Sequence, residues 1–229
     1  MCSRYSLTSP VEAVRRLFKF ENDAEAFPPR YNIAPTDPVH IVRAGPSGRR
    51  ELLLVRWGLI PAWVKDPRAF STLINARSEG AAEKPSFRGA YRYRRCLVPT
   101  DGFYEWTGKR GAKQPHLIRL KSHSLFALAG LWETWLGADG SELDTMVILT
   151  PDANGDLRHI HDRMPIIIDP ADYELWLDVS GSAVAQEATS RLLRPLREGL
   201  LDVVAGNRKL NDPRLEGAEL QEPATGRLL

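Results

Sequence analysis

The sequence predicts an α+β domain built mainly from antiparallel β-sheets that curl into a barrel or sandwich, with flanking helices. The first observation is a series of short β-rich runs between Pro38 and about Thr150. The second is the turn chemistry that separates these runs, as at 45–48 (GPSG) and 108–111 (GKRG). The third is that helical periodicity occurs only outside this region. Closely spaced strands joined by short turns pair with their neighbours, which favours antiparallel sheets.

The expected strands cover 39–43, 51–57, 96–99, 103–106, 116–120, 125–131 and 145–150. A short helix is expected to begin with Ser9 as its N-cap, Pro10 at its first position and Glu12 at its third. Apolar residues at 11, 14, 17 and 18 recur at helical spacing, and the pair of prolines at 28 and 29 ends the helix. Further helical patterns cover 170–177 and 183–193.

The size and charge of the chain bound its organisation. Its 229 residues, of which 43% are hydrophobic, are enough to bury one sizeable core. We expect a single domain over 1–229, with a loose C-terminal tail at about 218–229. The net charge of +2 does not indicate a nucleic-acid partner by itself, because acidic surface elsewhere can balance a basic groove.

The two cysteines, Cys2 and Cys96, are too few for a secreted disulfide scaffold and indicate a reduced environment. No apolar run approaches the roughly 18 residues of a membrane span, and the first residues lack the stretches of a signal peptide. A cytoplasmic monomer that does not bind membranes is therefore expected. Cys96 falls in the apolar run 96–99, so we expect a buried strand residue without chemistry.

Cys2 is the first residue with chemistry that composition does not explain. Methionine aminopeptidases remove Met1 when the second residue is small, which would leave an α-amine and a thiol on adjacent carbons. An α-amine has a pKa of about 7.7–8.0, so a useful fraction is neutral near pH 7 and can attack an aldehyde to form a Schiff base. The thiol can then close a five-membered thiazolidine ring. The alternative is a chance cysteine in a frayed terminus.

Two segments contain candidate proton carriers. Glu105 lies in 101–106 (DGFYEW), where strand alternation places it with Phe103 on one face and two aromatic residues on the other. Desolvation would raise its pKa and suit it to proton transfer, whereas an ion-paired edge-strand glutamate is the alternative. The segment 159–165 (HIHDRMP) contains two histidines, either of which could act as a base, and Asp162 could orient a ring or cap a turn. No metal is expected, because no CxxC or HExxH partner accompanies the histidines.

A basic stretch at 84–95 follows the segment 73–79 (LINARSE). It interleaves cations with aromatic residues, namely Lys84, Arg88, Arg92, Arg94 and Arg95 with Phe87, Tyr91 and Tyr93. Arginines contact phosphates and aromatic faces stack on unpaired bases, so this stretch is a candidate surface for single-stranded nucleic acid. Trp57, Trp63 and Trp106 in the same region favour this interpretation, and an ordinary solvated surface is the alternative.

Six motifs, in one order along the chain, together resemble the SOS response-associated peptidase (SRAP) family, whose members shield abasic sites in single-stranded DNA. They are 1–2 (MC), 30–35 (RYNIAP), 56–63 (RWGLIPAW), 74–77 (INAR), 95–106 (RCLVPTDGFYEW) and 160–165 (IHDRMP). Ser3, Gly80 and Gly206 depart from the family pattern, and none of them is a proposed catalytic group.

The resemblance implies roles for the site residues. Cys2 would be the nucleophile that supplies both amine and thiol, and Asn75 would hold the thiol or the opened sugar. Glu105 would be the acid and base of the Schiff-base step, and His161, rather than His159, the second proton carrier at the sugar ring oxygen. The implied DNA-binding residues are Arg77 and Arg163 at flanking phosphates, helped by Arg4, with Pro35 and Trp63 as apolar groups against kinked DNA. No cofactor is implied.

The expected function is covalent capture of abasic sites in single-stranded DNA through Cys2, associated with the nucleoid when DNA is bound. AP-lyase and autopeptidase activities are further expectations from the family. One alternative is a cysteine peptidase that uses Cys2 and His161, with Asn75 or Glu105 as the orienting residue. Another is a non-covalent reader of single-stranded or modified DNA, which would bind reversibly and with strong salt dependence.

Overall fold

The computed structural model describes residues 2–109 and 111–222, and within them it confirms the α+β class. The strands are β1 (Arg4–Leu7), β2 (Arg30–Ile33), β3 (Pro38–Ala44), β4 (Arg50–Trp57), β5 (Asn75–Arg77), β6 (Arg95–Thr100), β7 (Gly102–Thr107), β8 (Gln114–Leu120), β9 (Phe126–Leu136), β10 (Glu142–Thr150), β11 (Ile167–Ile168) and β12 (Leu201–Ala205). The α-helices are α1 (Val11–Phe18), α2 (Arg88–Tyr93), α3 (Tyr173–Leu177) and α4 (Ala183–Ser190). No helix within the described ranges is long and apolar enough to cross a membrane.

The larger sheet closes into a barrel. Its strand order is β11-β9-β6-β3-β4-β10-β5, and β9 also pairs with β10, so β9, β6, β3, β4 and β10 form a closed ring. Most neighbours are antiparallel as expected, but β10 runs parallel to both β4 and β5. The strands of the ring carry fully buried side chains, such as Ile41, Leu97, Leu128 and Val147. Closure removes unpaired sheet edges from the ring and provides a rigid base for the loops at its rim.

The smaller sheet has the order β12-β8-β7-β1-β2 and is antiparallel throughout. Its central strand β7 alternates as the sequence predicts. Phe103 packs into the main core, whereas Tyr104 and Trp106 point to a separate cluster on the other face. Glu105 therefore shares the inner face with Phe103, toward the junction of the two sheets.

All seven predicted strands are present: six lie within a slightly longer observed strand, and the one predicted at 125–131 begins one residue before β9. The prediction missed β1, β2, β5, β11 and β12. Four of them, β1, β2, β5 and β11, have only two to four residues. This is too short for alternation to show, and tertiary pairing rather than local pattern defines them.

The first helix differs from its prediction at both ends. Pro10 is the N-cap and has no side-chain cap bond, because the Ser9 hydroxyl donates instead to Asp101 at 2.6 Å. The helix ends at Phe18, where Lys19 adopts a left-handed conformation with φ of 55°, well before the two prolines. The predicted helix at 170–177 is a 3₁₀ turn followed by α3, and the one at 183–193 is α4. The helix α2 was not predicted, because its residues were interpreted as a basic surface.

Part of the expected C-terminal tail is ordered against the small sheet. Ala218–Leu220 form a 3₁₀ turn with Leu220 fully buried, and Gln221 Nε2 donates to the Tyr104 hydroxyl at 3.0 Å. Apolar burial of one leucine and hydrogen bonds to β7 hold this segment in place. The remainder of the predicted tail, 223–229, lies outside the described residues, and the single-domain assignment stays a prediction.

We predict that Asp101→Ala lowers the free energy of unfolding by about 1–3 kcal/mol, because donors left without an acceptor lose their hydrogen bonds. The Asp101 carboxylate accepts from the backbone N–H groups and hydroxyls of both Thr8 and Ser9, which ties the chain after β1 to the turn before β7. Urea denaturation measures the effect, with the exposed Glu25→Ala as control. Equal stability of the two variants would contradict it.

Candidate active site

Cys2 lies immediately before β1 and is fully buried. Its backbone carbonyl accepts a 2.7 Å hydrogen bond from Nδ2 of Asn75, the first residue of β5. Because β1 belongs to the small sheet and β5 to the barrel sheet, this bond joins the two sheets at the site. Oδ1 of Asn75 is buried and has no hydrogen-bond partner among the described residues. Asn75 therefore orients the backbone of Cys2, and its second polar atom can accept a bond from an incoming group.

Glu105 lies beside Cys2 across the pairing of β1 with β7. Arg4 is opposite Tyr104 in that register, so Glu105 lies next to the chain that precedes Arg4. Only 3% of Glu105 is exposed, and this burial raises its pKa. Burial also raises the pKa of the Cys2 thiol, and the negative charge of Glu105 raises it further. The carboxyl group is thus near enough to the thiol to influence its ionisation.

His161 lies in the loop between β10 and β11, and its charge affects the pKa of Glu105. Burial is the larger effect on the pKa of Glu105, and positive charge on His161 opposes it. Nδ1 of His161 accepts a 2.9 Å bond from the backbone N–H of Arg163. The Asp162 carboxylate lies 2.8 Å from the same Nδ1 atom. His159 is exposed and is not among the groups that change the pKa of Glu105.

No metal cluster accompanies these histidines in the part of the chain that the structure describes. There, no group of three or more His, Cys, Asp or Glu side chains could hold an ion.

Arg163 is enclosed by acceptors. Its side chain is 8% exposed, and Nη1 donates to Glu79 at 2.9 Å and to Asp152 at 2.6 Å. Nη2 donates to the second oxygen of Glu79 at 2.7 Å and to the carbonyl of Thr150. The sequence-based expectation assigns Arg163 to a DNA phosphate, but in this arrangement carboxylates occupy its outer donors.

The other two implied arginines differ in exposure. Arg77 ends β5 with an exposed side chain, only two residues after Asn75. Arg4 is half-buried, and its Nη1 donates to Asn32 at 2.7 Å and to the carbonyl of Leu210 at 3.2 Å. Arg77 thus presents its charge to solvent, whereas Arg4 binds within the protein.

The two implied apolar residues lie on connections next to the site strands. Pro35 is half-buried in the turn from β2 to β3, and the following Thr36 donates its backbone N–H to the carbonyl of Trp57 at 2.8 Å. Trp63 lies between β4 and β5, is 59% exposed, and packs edge-on against Phe70 with ring centroids 5.7 Å apart. Its exposed ring offers a flat surface on which a base can stack.

Three of the residues that define the candidate nucleic-acid surface at 84–95 are buried, so the interpretation is wrong for those three. Arg95 is buried and donates to the backbone carbonyls of Trp176 at 2.7 Å and of Tyr91 at 2.6 Å. Phe87 and Tyr91 are buried as well, because α2 turns them toward the core, and Tyr93 alone of the three aromatic residues is exposed. Helical periodicity, which the prediction did not consider here, explains this division.

Trp57 also has a different role from the stacking that its sequence context favoured. It is fully buried, and its indole N–H donates to the carbonyl of Ile74 at 2.9 Å. Its ring packs edge-on against Tyr5, with centroids 5.2 Å apart. Trp57 therefore contacts both the residue before Asn75 and strand β1 from the core.

The sequence analysis also missed Glu79 as a partner of Arg163, because no sequence signal pairs two residues 84 positions apart.

Comparison with known proteins places this geometry in a family. The family model described as SOS response associated peptidase (SRAP) matches residues 1–213. "Abasic site processing protein YoqW" of Bacillus subtilis (strain 168) is 36% identical over 228 residues, covering 97% of this chain and 99% of that protein. "Abasic site processing protein HMCES" of Gallus gallus is 36% identical over 199 residues, covering 73% of this chain and 58% of that protein.

The fold agrees with these sequence relationships. A crystal structure of a protein from Bacteroides thetaiotaomicron superposes with a TM-score of 0.85 and 27% identity, covering 97% of this chain and 100% of that one. The match of the family model spans the barrel and the small sheet. It also includes Cys2, Asn75, Glu105 and His161. The chain belongs to the SOS response associated peptidase (SRAP) family.

Proposed function

We propose that this protein captures abasic sites in single-stranded DNA covalently through Cys2, after removal of Met1. The α-amine of Cys2 attacks the C1′ aldehyde of the opened sugar, and the adduct loses one water to form an imine. The thiol sulfur then adds to C1′ while the nitrogen takes the thiol proton, which closes a thiazolidine ring. The ring removes the aldehyde, so β-elimination and strand breakage are suppressed. Relatives named abasic site processing proteins support this proposal.

The observation that carries the proposal is the position of the Cys2 backbone. A side-chain nucleophile needs only its own rotamer to be fixed, but an α-amine is fixed only when the main chain is held. The 2.7 Å bond from Asn75 to the Cys2 carbonyl provides that constraint, and Glu105 lies beside the same residue. Oriented groups of this kind replace much of the entropy cost of a bimolecular attack.

Glu105 and His161 provide the two proton transfers. The raised pKa of Glu105 lets this carboxyl group accept a proton from the ammonium form of the amine and return it to the leaving water. His161 can donate a proton from Nε2 to the sugar ring oxygen as the ring opens, because Nδ1 already contacts the Arg163 backbone and the Asp162 carboxylate.

The ionisation of Cys2 supports an order in which the amine reacts first. Burial and the charge of Glu105 both raise the thiol pKa, so little thiolate exists at rest. A cysteine peptidase depends on a resting or readily formed thiolate. The alternative of a thiol peptidase therefore has less physical support than ring closure by a thiol that reacts second.

The proposed DNA surface combines charge with an exposed ring. Arg77 provides a solvent-facing cation next to Asn75, and Trp63 lies on the connection that leads into β5. Pro35 and Arg4 flank the same end of the small sheet and complete the proposed surface.

We predict that Cys2→Ala abolishes the adduct that survives denaturation. Alanine is small enough for Met1 removal and retains the amine, but it leaves only a Schiff base that hydrolyses. Denaturing electrophoresis with an abasic oligonucleotide measures the adduct, and Cys96→Ala serves as the matched control because that thiol is buried in β6. A Cys2→Ala adduct as durable as that of wild type would refute ring closure.

We predict that Glu105→Gln slows adduct formation and raises the free energy of unfolding above neutral pH. The folded-state pKa of Glu105 is raised above its ordinary value of 4.5 by burial. Its contribution to stability is therefore complete below that value and is lost as the pH rises through the higher folded-state pKa. Glutamine does not titrate, so its advantage should increase from pH 4 to pH 8 in urea denaturation.

The exposed Glu12→Gln is the control for this measurement and should show no such trend. A stability difference for Glu105→Gln that is the same at pH 4 and pH 8 would contradict the buried-carboxylate account.

We predict that Trp63→Ala weakens binding to single-stranded DNA by about 1–3 kcal/mol, the range for loss of one base–aromatic stack. Fluorescence anisotropy with an undamaged oligonucleotide measures it. Leu54→Ala is the control, since Leu54 is also exposed and apolar but offers no ring. Equal affinities for the two variants would exclude stacking on Trp63.

A further inference from the structure

The guanidinium of Arg163 and its two carboxylate partners form a cluster at the border of the site. Arg163 is two residues after His161, and Glu79 follows the β5 strand that begins with Asn75. One cation here contacts two anions, Glu79 and Asp152, so the cluster carries an excess of negative charge. Such an excess repels a polyanion, although the neighbouring Arg77 would attract one.

The members of the cluster differ sharply in exposure. The side chain of Arg163 is 8% exposed, whereas those of Glu79 and Asp152 are 56% and 81% exposed. The carboxylates therefore cover the guanidinium from the solvent side. An exposed carboxylate loses little when it leaves such a pair, because water solvates it.

The rest of the Arg163 environment does not depend on the carboxylates. Nη2 also donates to the carbonyl of Thr150, a buried backbone group that keeps the guanidinium in place. Its fork of donors suits a phosphate as well as a carboxylate, since both present two oxygens at matching spacing. The Arg163 hydrogen bond lowers the pKa of Glu79, so this carboxylate is charged at neutral pH.

We infer that Glu79 and Asp152 are specificity-determining residues. In the DNA-free protein their carboxylates occupy the position at Arg163 that a backbone phosphate takes when DNA binds. The inference rests on the proposed function, because it requires DNA to lie across this face. Phosphate and carboxylate exchange without any covalent change. Undamaged DNA must displace the carboxylates and is therefore bound weakly, whereas covalent capture at Cys2 holds abasic DNA after the same exchange.

The test is the affinity for an undamaged single-stranded oligonucleotide, measured by fluorescence anisotropy across a salt titration. Glu79→Gln should bind about fivefold more tightly at low salt, because one competing charge at contact distance is removed. Its logarithmic salt dependence should become steeper by about one, as expected for one more phosphate contact. Glu79→Gln retains the Asp152 pair, and its thermal unfolding checks that the fold is intact.

Two matched controls separate exchange from a general charge effect. Glu83→Gln removes an exposed negative charge close by in the sequence that does not contact Arg163, and should change affinity by less than about twofold. Glu79→Asp keeps the charge and should resemble wild type. Asp152→Asn should shift affinity in the same direction as Glu79→Gln.

Glu79→Gln binding no more tightly than Glu83→Gln would overturn the inference and make the Arg163 cluster a purely structural clamp. That outcome leaves the proposed function intact whenever wild type still forms an adduct with abasic DNA. Absence of the wild-type adduct would instead refute the proposed function, whatever the affinities of the Glu79 variants.

Discussion

The hydrogen bond from Asn75 to the carbonyl of Cys2 is the constraint on which the site depends. It joins the chain just before β1 of the small sheet to the edge of the barrel sheet, and its two partners are 73 residues apart in the sequence. Trp57 supports this junction from the core, because its indole bonds the residue before Asn75 and its ring packs against Tyr5. Main-chain placement of the first residues is thus a property of the whole fold rather than of a local loop.

Burial gives this junction its chemical character. The same desolvation raises the pKa of the Glu105 carboxyl group and of the Cys2 thiol, so one group becomes a proton carrier and the other stays protonated until it is needed. A buried carboxylate costs stability, which is typical of groups retained for function. The nearby Arg163 cluster differs, because its charges are paired with each other and its carboxylates are exposed to solvent.

Sequence reasoning predicted the class and the long strands well, because period-two alternation is a local signal. Alternation also grouped Glu105 with Phe103 on one face of β7, away from Tyr104 and Trp106, and the structure shows that face to be the inner one. It failed where partners are distant in sequence: the short β5 strand is defined by pairing with β10, and the pairing of Arg163 with Glu79 has no local signature. In 84–95, composition suggested a charged surface, although helical periodicity buries Tyr91 and Arg95 begins the buried strand β6. The candidate nucleophile and proton carriers were recognisable from their residue types. The contacts within the protein that position them and change their pKa values were not.

The central claim is that the α-amine and the thiol of Cys2 react together with one aldehyde. Mass spectrometry of the protein after incubation with an abasic oligonucleotide, and then with iodoacetamide, tests this directly on the intact adduct and on its tryptic peptides. We expect a mass equal to the protein without Met1 plus the oligonucleotide less one water, carried on the peptide that begins with Cys2 and ends at Arg4, with the Cys2 sulfur not alkylated because it is bonded to C1′. An adduct that retains Met1, that carries an alkylated Cys2 sulfur, or that maps to a lysine elsewhere in the chain would contradict the claim.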